Sequence, residues 1–346
     1  MSALQYSGMS PVAAGSASPR QIPLGLLAYC FGIAQKARGQ IPGTPDFSDP
    51  AAFIQEAARV GANAVQIPFG AREGNSVREL RETAAKLGVA LEATVSLPAK
   101  DSDVGRFEAE MSTLRELGVA VARTVVFPGR RYEDLHSVAA YERAVEDARA
   151  RIRRAEPIAR KHQVRLAVEN HKDQRIEERV RLFKEFESEF VGACIDVGNN
   201  IALLEDPVEV CRALAPWVFT VHFKDQGVRE YENGFLLADV PLGRGCIDLP
   251  AVIRAIHEKK RDLHFQLELI TRDALKVPVL TEDYWSTFQD LKATELSHTW
   301  AMIKERGSRQ AFPSVSTLPL AEQVAMERRN IEESFRYAAE HLNFSV

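Results

Sequence analysis

The sequence predicts an α/β fold: a (β/α)8 barrel with a flexible N-terminal tail and a C-terminal helical extension. Three observations carry this reading. Short apolar runs alternate strictly with helix-patterned segments, and about eight such units follow one another. The runs are continuously apolar, as parallel strands covered on both faces should be. A doubly wound open sheet would alternate too, but its dinucleotide-binding form needs a glycine-rich phosphate fingerprint after the first strand. The segment Leu24-Gly25-Leu26-Leu27-Ala28-Tyr29 does not supply one.

The elements follow in order. Ile22 to Ala28 is a short apolar run suited to a buried strand. Asp49 and Pro50 open a helix, with proline at its first position. Phe53, Ile54, Ala57, Ala58 and Val60 keep helical spacing, and Gly61 ends it. Ala64 to Ile67 is a strand, Ser76 to Leu87 a helix, and Gly88 its stop. Ala90 to Val95 is a strand, Val104 to Leu117 a helix, and Gly118 its stop. Val121 to Phe127 is a strand and Ser137 to Lys161 a long charged helix.

The second half repeats the rhythm. Strands are expected at Val164 to Val168, Gly192 to Ile195, Val218 to Phe223 and Leu263 to Leu269. Helices are expected at Arg175 to Glu187, Pro207 to Leu214, Leu249 to Glu258 and Tyr284 to Glu305. A long connection, residues 226–248, precedes the helix at Leu249, and loops of that length are often lids. Eight units point to a TIM barrel.

The organisation reads as a tail at residues 1–20, a barrel at 21–305 and an extension at 306–346. The tail is rich in Ser, Ala, Gly and Pro and lacks a basic start, an apolar core and a twin-arginine pair. In the extension, Leu320, Val324, Ile331, Phe335 and Ala338 line one helical face. That face would pack on the barrel or on a second copy in a homo-oligomer.

Composition narrows the function. The chain has 346 residues, 45% hydrophobic and 27% charged, with a formal net charge of −4. No apolar stretch is long enough to span a membrane. The mild acidity argues against gripping a nucleic-acid backbone, which calls for a basic footprint. Cys30, Cys194, Cys211 and Cys246 show neither zinc-ribbon nor disulfide-framework spacing. They read as reduced, buried thiols of a cytoplasmic protein.

In a barrel, chemistry sits at the C-terminal ends of the strands. The fifth expected strand ends on Glu169, the sixth on Asp196, the seventh on His222 and the eighth on Glu268. The first three are one strand–helix unit apart, at steps of 27 and 26 residues. Each residue alone has a structural explanation: a helix cap, a core histidine, a salt bridge. Together, three carboxylates and an imidazole on one rim repel unless a cation neutralises them. An oxygen-rich set with one nitrogen suits Mn, Mg or Co, with Zn as a further option.

In this order and spacing, the stretches VENH, CIDVGN, VHFKD, PLGRGCID and LELI resemble the xylose-isomerase-like barrels. Within them they are similar to the sugar isomerase/epimerase branch of the tagatose 3-epimerase type, over roughly residues 22–305. The resemblance implies a divalent metal on Glu169, Asp196, His222 and Glu268. It also implies proton transfer through an enediolate, with Glu169 and Glu268 on opposite faces of the reacting carbon of a carbohydrate. Members of the branch carry a histidine three residues after the metal aspartate and an arginine about six after the metal histidine. Asn199 and Val228 stand there instead.

His171, Lys172, Lys224 and Arg244 are the groups offered in their place, and extra cations beside such a site suit a substrate with a carboxylate. The alternative reading is therefore a metal-dependent lyase or decarboxylase acting on a keto-sugar acid. Tyr29, with Phe31, Phe127 and His136, would line the sugar's apolar face. The apurinic-endonuclease branch needs more metal ligands and a basic face. A non-catalytic sugar-binding barrel would show a broken tetrad.

Overall fold

The computed structural model describes residues 21–288 and 290–346. The tail expected at 1–20 lies outside the described residues. Twelve strands are described: β1 (Ile22–Leu27), β2 (Ala64–Ile67), β3 (Ala90–Thr94), β4 (Val121–Thr124), β5 (Arg165–Glu169), β6 (Val191–Asp196), β7 (Val218–Phe223), β8 (Asp225–Tyr231), β9 (Gly234–Val240), β10 (Phe265–Leu267), β11 (Leu275–Val277) and β12 (Phe344–Ser345). Strands β1 to β7 pair in sequence order, all parallel, and β10 pairs with both β7 and β1. The sheet therefore closes into a (β/α)8 barrel of eight strands.

The helices end where local chemistry tells them to. Asp49, Ser137, Asp206 and Asp248 each accept a backbone N–H in the first turn of the helix they cap. Gly88 and Gly118 close the helices Asn75–Leu87 and Val104–Leu117 with φ of 68° and 78°. A side chain there would clash with its own carbonyl, so glycine is favoured. Inside the barrel, a Cβ at Gly25 would lie 2.1 Å from Gln266 Oε1, so glycine makes room for that amide.

Two expectations are corrected. The long connection is a paired structure: β8 and β9 form an antiparallel hairpin, and β11 joins β9. Val228, Phe235 and Leu237 of this small sheet are buried, so it packs on the barrel as a wall. The expected helix Tyr284 to Glu305 is broken into Glu282–Trp285 and Ala293–Arg306. At the break, the Thr287 carbonyl accepts from the buried Arg131 at 2.6 Å, and Tyr284 Oη donates to Ala202 O at 2.9 Å.

The extension lies on the barrel. Its helix, Leu320–His341, buries Ile331, Phe335 and Ala338. The same face buries Glu327, which accepts from the N–H groups of Ile33 (2.7 Å) and Ala34 (2.9 Å) just after β1. Strand β12 then pairs with β1, and Phe344 packs against Phe223 and Phe265.

Candidate metal centre

Glu169 and Asp196 are the last residues of β5 and β6. Asp196 is in register with His222 on β7, and Glu268 follows β10 directly. Closing the barrel therefore brings the four side chains to one rim. One ligand-type atom from each lies within 4.8 Å of the others, and all four residues are buried.

The hydrogen bonds fix this arrangement. Asp196 Oδ1 accepts from the backbone N–H of Gly198 (2.9 Å) and Asn199 (2.8 Å). Glu169 Oε1 accepts from Asn199 Nδ2 at 3.1 Å. Glu169 Oε2 accepts from Arg123 Nε at 2.5 Å and also contacts the terminal guanidinium nitrogen Nη2. His222 Nδ1 lies 3.4 Å from Glu169 Oε2 and 3.0 Å from Glu268 Oε2.

Asp196 Oδ2, His222 Nδ1 and Glu268 Oε2 are buried with no directed hydrogen bond among the described residues. Their ligand-type atoms converge with one from Glu169 on a single point, the arrangement that a divalent cation takes up. Two oxygens and a nitrogen, with Glu169 beside them, fit such an ion.

The charge surroundings correct the electrostatic argument drawn from the sequence. The acids are already partly neutralised by protein cations. Lys224 Nζ lies 2.7 Å from Asp196 Oδ2 and 2.8 Å from Glu268 Oε2. Asp239 on β9 is 4.0 Å from Lys224 and 3.2 Å from Arg272. Lys172 Nζ donates to Asn199 Oδ1. The case for a metal thus rests on the convergence of four ligand-type atoms at one buried point and not on uncompensated charge.

Burial and partners set the ionisation of each group. Burial pushes the Asp196 carboxyl up to about 7, against the pull of Lys224. Burial also opposes ionisation of Glu169, but Arg123 and His222 outweigh it and hold that carboxyl low. At Glu268 burial is outweighed by Lys224 and His222, which hold it well below the usual range. Burial, with Lys224 nearby, lowers Lys172 to about 8.

The other predicted residues fall into two groups. Asn199, Lys172 and Lys224 lie in the cluster, as the contacts above show. His171 is half-buried and follows Glu169 and Asn170, and its pKa is lowered by burial. Tyr29 is 44% exposed, with its ring centroid 5.6 Å from the Arg123 guanidinium carbon, so it marks the solvent edge.

Arg244 does not reach the cluster. It sits past the hairpin, exposed, and pairs with Glu333 of the extension at 2.9 Å. Phe31 is a core residue stacked on Phe47, and His136 is exposed beside Asp283. Phe127 lines a small pocket with Leu135, Tyr141 and Ala148. Val228, in the place of the branch's arginine, points into the core.

Sequence reasoning missed Arg123, Asp239 and Arg272. Arg123 carried a signal: a charged residue in the apolar strand VART. The pairing of Asp239 with Arg272 carried none, because it depends on the hairpin.

Fold and site together define a class: a closed parallel barrel with a buried acid–imidazole cluster at the C-terminal ends of its strands. Residues 54–295 match the model of the xylose isomerase-like TIM barrel family, and the chain belongs to that family.

A curated relative, 3-oxo-isoapionate decarboxylase of Pectobacterium atrosepticum, is 27% identical over 247 residues, covering 70% of this chain and 83% of the relative. Among solved structures, a D-psicose 3-epimerase crystallised with D-fructose has a TM-score of 0.54 at 12% identity, covering 85% of this chain and 94% of that one. A xylose isomerase-like barrel protein of Mycobacterium smegmatis, in complex with magnesium, has a TM-score of 0.50 at 19% identity, covering 81% and 97%. At these identities the solved structures speak to the fold alone. Among the described residues, no helix is long and apolar enough to cross a membrane.

Proposed function

We propose that the chain is a divalent-metal-dependent lyase that decarboxylates a keto-sugar acid. The charge balance of the site carries this reading. Glu169, Asp196, Glu268 and Asp239 are faced by Arg123, Lys172, Lys224 and Arg272. A divalent ion added to that set leaves net positive charge, which favours an anionic substrate over a neutral sugar. The 27% identical decarboxylase relative supports the same reading.

A metal held by Glu169, Asp196, His222 and Glu268 would supply Lewis-acid stabilisation of the charge that develops on the substrate oxygen. Lys172 contacts the neutral Asn199 amide, so its charge is available to a substrate carboxylate. The bond from carbon to that carboxylate breaks and carbon dioxide leaves. The bonding electron pair passes into the adjacent ketone, giving an enolate. Lys172 then stands beside the carbon that must gain a proton. Lowered to about 8, its ammonium is a competent acid near neutral pH and is reprotonated from solvent.

A second reading, sugar isomerisation or epimerisation through an enediolate with Glu169 and Glu268 as the proton carriers, agrees with the family and with its epimerase-like fold neighbours. It asks Glu169 to release and retake a proton. Both oxygens of Glu169 are held, by Arg123 and by Asn199, and Arg123 keeps it ionised. That weakens it as a base.

The test is a substrate panel of keto-sugar acids and ketohexoses with Mn²⁺ or Mg²⁺. The expected result is carbon dioxide from a keto acid and no solvent deuterium in the ketohexoses. Epimer formation without gas release would reverse the order of the two readings.

A further inference from the structure

His222 is held from behind by a polar chain inside the barrel. Its Nε2 lies 2.7 Å from Gln66 Oε1. Gln66 Nε2 donates to Glu92 Oε2 at 3.0 Å. The same oxygen accepts from Thr220 Oγ1 at 2.7 Å and from Gln266 Nε2 at 3.1 Å. The other oxygen, Oε1, lies 3.0 Å from His264 Nδ1. His264 opens onto a cavity of about 730 Å³, which Gln21 and Ile22 at the start of β1 also line. The chain thus crosses the barrel from the candidate metal centre to the opposite end.

Its polarity is determined by its middle. An ionised carboxylate only accepts hydrogen bonds. Glu92 Oε2 gathers three donors, so Gln66 must turn its NH₂ toward Glu92. The Gln66 amide oxygen then faces His222, and His222 must carry its ring proton on Nε2. Nδ1 is the nitrogen turned toward the carboxylates of Glu169 and Glu268. Gln66 and Thr220 are wholly buried and Glu92 is nearly so.

We propose that Gln66 and Glu92 are positioning residues. They lock His222 into the tautomer protonated at Nε2, so that Nδ1 is the atom presented to a divalent cation. The proposal rests on the metal-centre reading above. Neither residue touches the cation's ligand atoms. Outer partners of metal-bound histidines typically change metal affinity by about 10–100-fold.

The test uses the full chain labelled with ¹⁵N-histidine and loaded with Zn²⁺, which is diamagnetic. The expected spectrum shows His222 ligated through Nδ1 with a slowly exchanging proton on Nε2. Ligation through Nε2 would overturn the proposal. Calorimetric titration with Mn²⁺ adds a second measurement. Glu92→Gln and Gln66→Met should each weaken binding about 10–100-fold, and Glu92→Gln should broaden His222 into mixed tautomers.

Two folded variants that bind Mn²⁺ as wild type does would overturn the positioning role and leave the metal centre standing. If Glu92→Gln does not fold, Gln66→Met and the wild-type spectrum still decide. A wild-type chain that binds neither Zn²⁺ nor Mn²⁺ would overturn both readings.

Discussion

The Lys224 ammonium lies 2.7 Å from Oδ2 of Asp196, one of the atoms a metal would need. Lysine and metal therefore compete for the same negative charge. Lys224→Gln should tighten Mn²⁺ binding by roughly tenfold, since a nearby like charge costs kilocalories at protein dielectric. The same change should raise KM for an anionic substrate. Calorimetry and steady-state kinetics on one preparation read both, and weaker metal binding would contradict the competition.

Arg123 and Glu169 form a buried pair, 4% and 0% exposed. Removing one partner of such a pair strands the other. Arg123→Met should lower unfolding stability by about 3–5 kcal/mol. The double change Arg123→Met with Glu169→Leu should cost less than the single one, because no charge is left alone. Urea unfolding of the three proteins checks this, and a double variant worse than the single would refute it.

Glu327 gives a pH signature. Burial pushes its carboxyl up to about 7 from an ordinary value of 4.5. Between these values the folded chain holds a proton that the unfolded chain has lost. This group's contribution is therefore fullest below pH 4.5 and declines as pH rises to about 7, by about 1.4 kcal/mol per pH unit. Glu327→Gln should flatten that slope. Urea midpoints at pH 5 and pH 7 for both proteins measure it, and parallel slopes would rule the group out.

Arg244 and Glu333 meet at the surface, and exposed pairs contribute about 0–1 kcal/mol. Arg244→Ala should leave metal affinity and turnover at wild-type levels, with a melting temperature shifted by only a few degrees. A large rise in KM would place Arg244 at the substrate after all.

The barrel was legible because buried parallel strands are written as continuous apolar runs, and glycines such as Gly88 and Gly118 punctuate the helices between them. The tetrad was legible for a related reason. Glu169, Asp196 and Glu268 end such runs, where an acid stands out. What could not be read was pairing at long range. Nothing local to Arg123 names Glu169, and nothing local to Gln66 names His222. Arg244 misled because a cation near a motif is not thereby near a site. The hairpin did leave a sign: Gly234 begins β9 with a φ of 152°, a backbone that favours glycine, directly after the turn at residues 232–233.

The hairpin also constrains how the family member can vary by insertion and deletion. Asp239 faces Arg272 only because β9 alternates its side chains. One residue added within β9 ahead of Asp239 would bring Ala238 to the charged cluster and turn the acid to the face opposite Phe235 and Leu237. Length changes within this strand are thus tolerated in even steps and penalised in odd ones. The turn at residues 232–233 is exposed, and added residues there disturb the strand pairing least, so sequence drift in relatives that keep this wall should collect there.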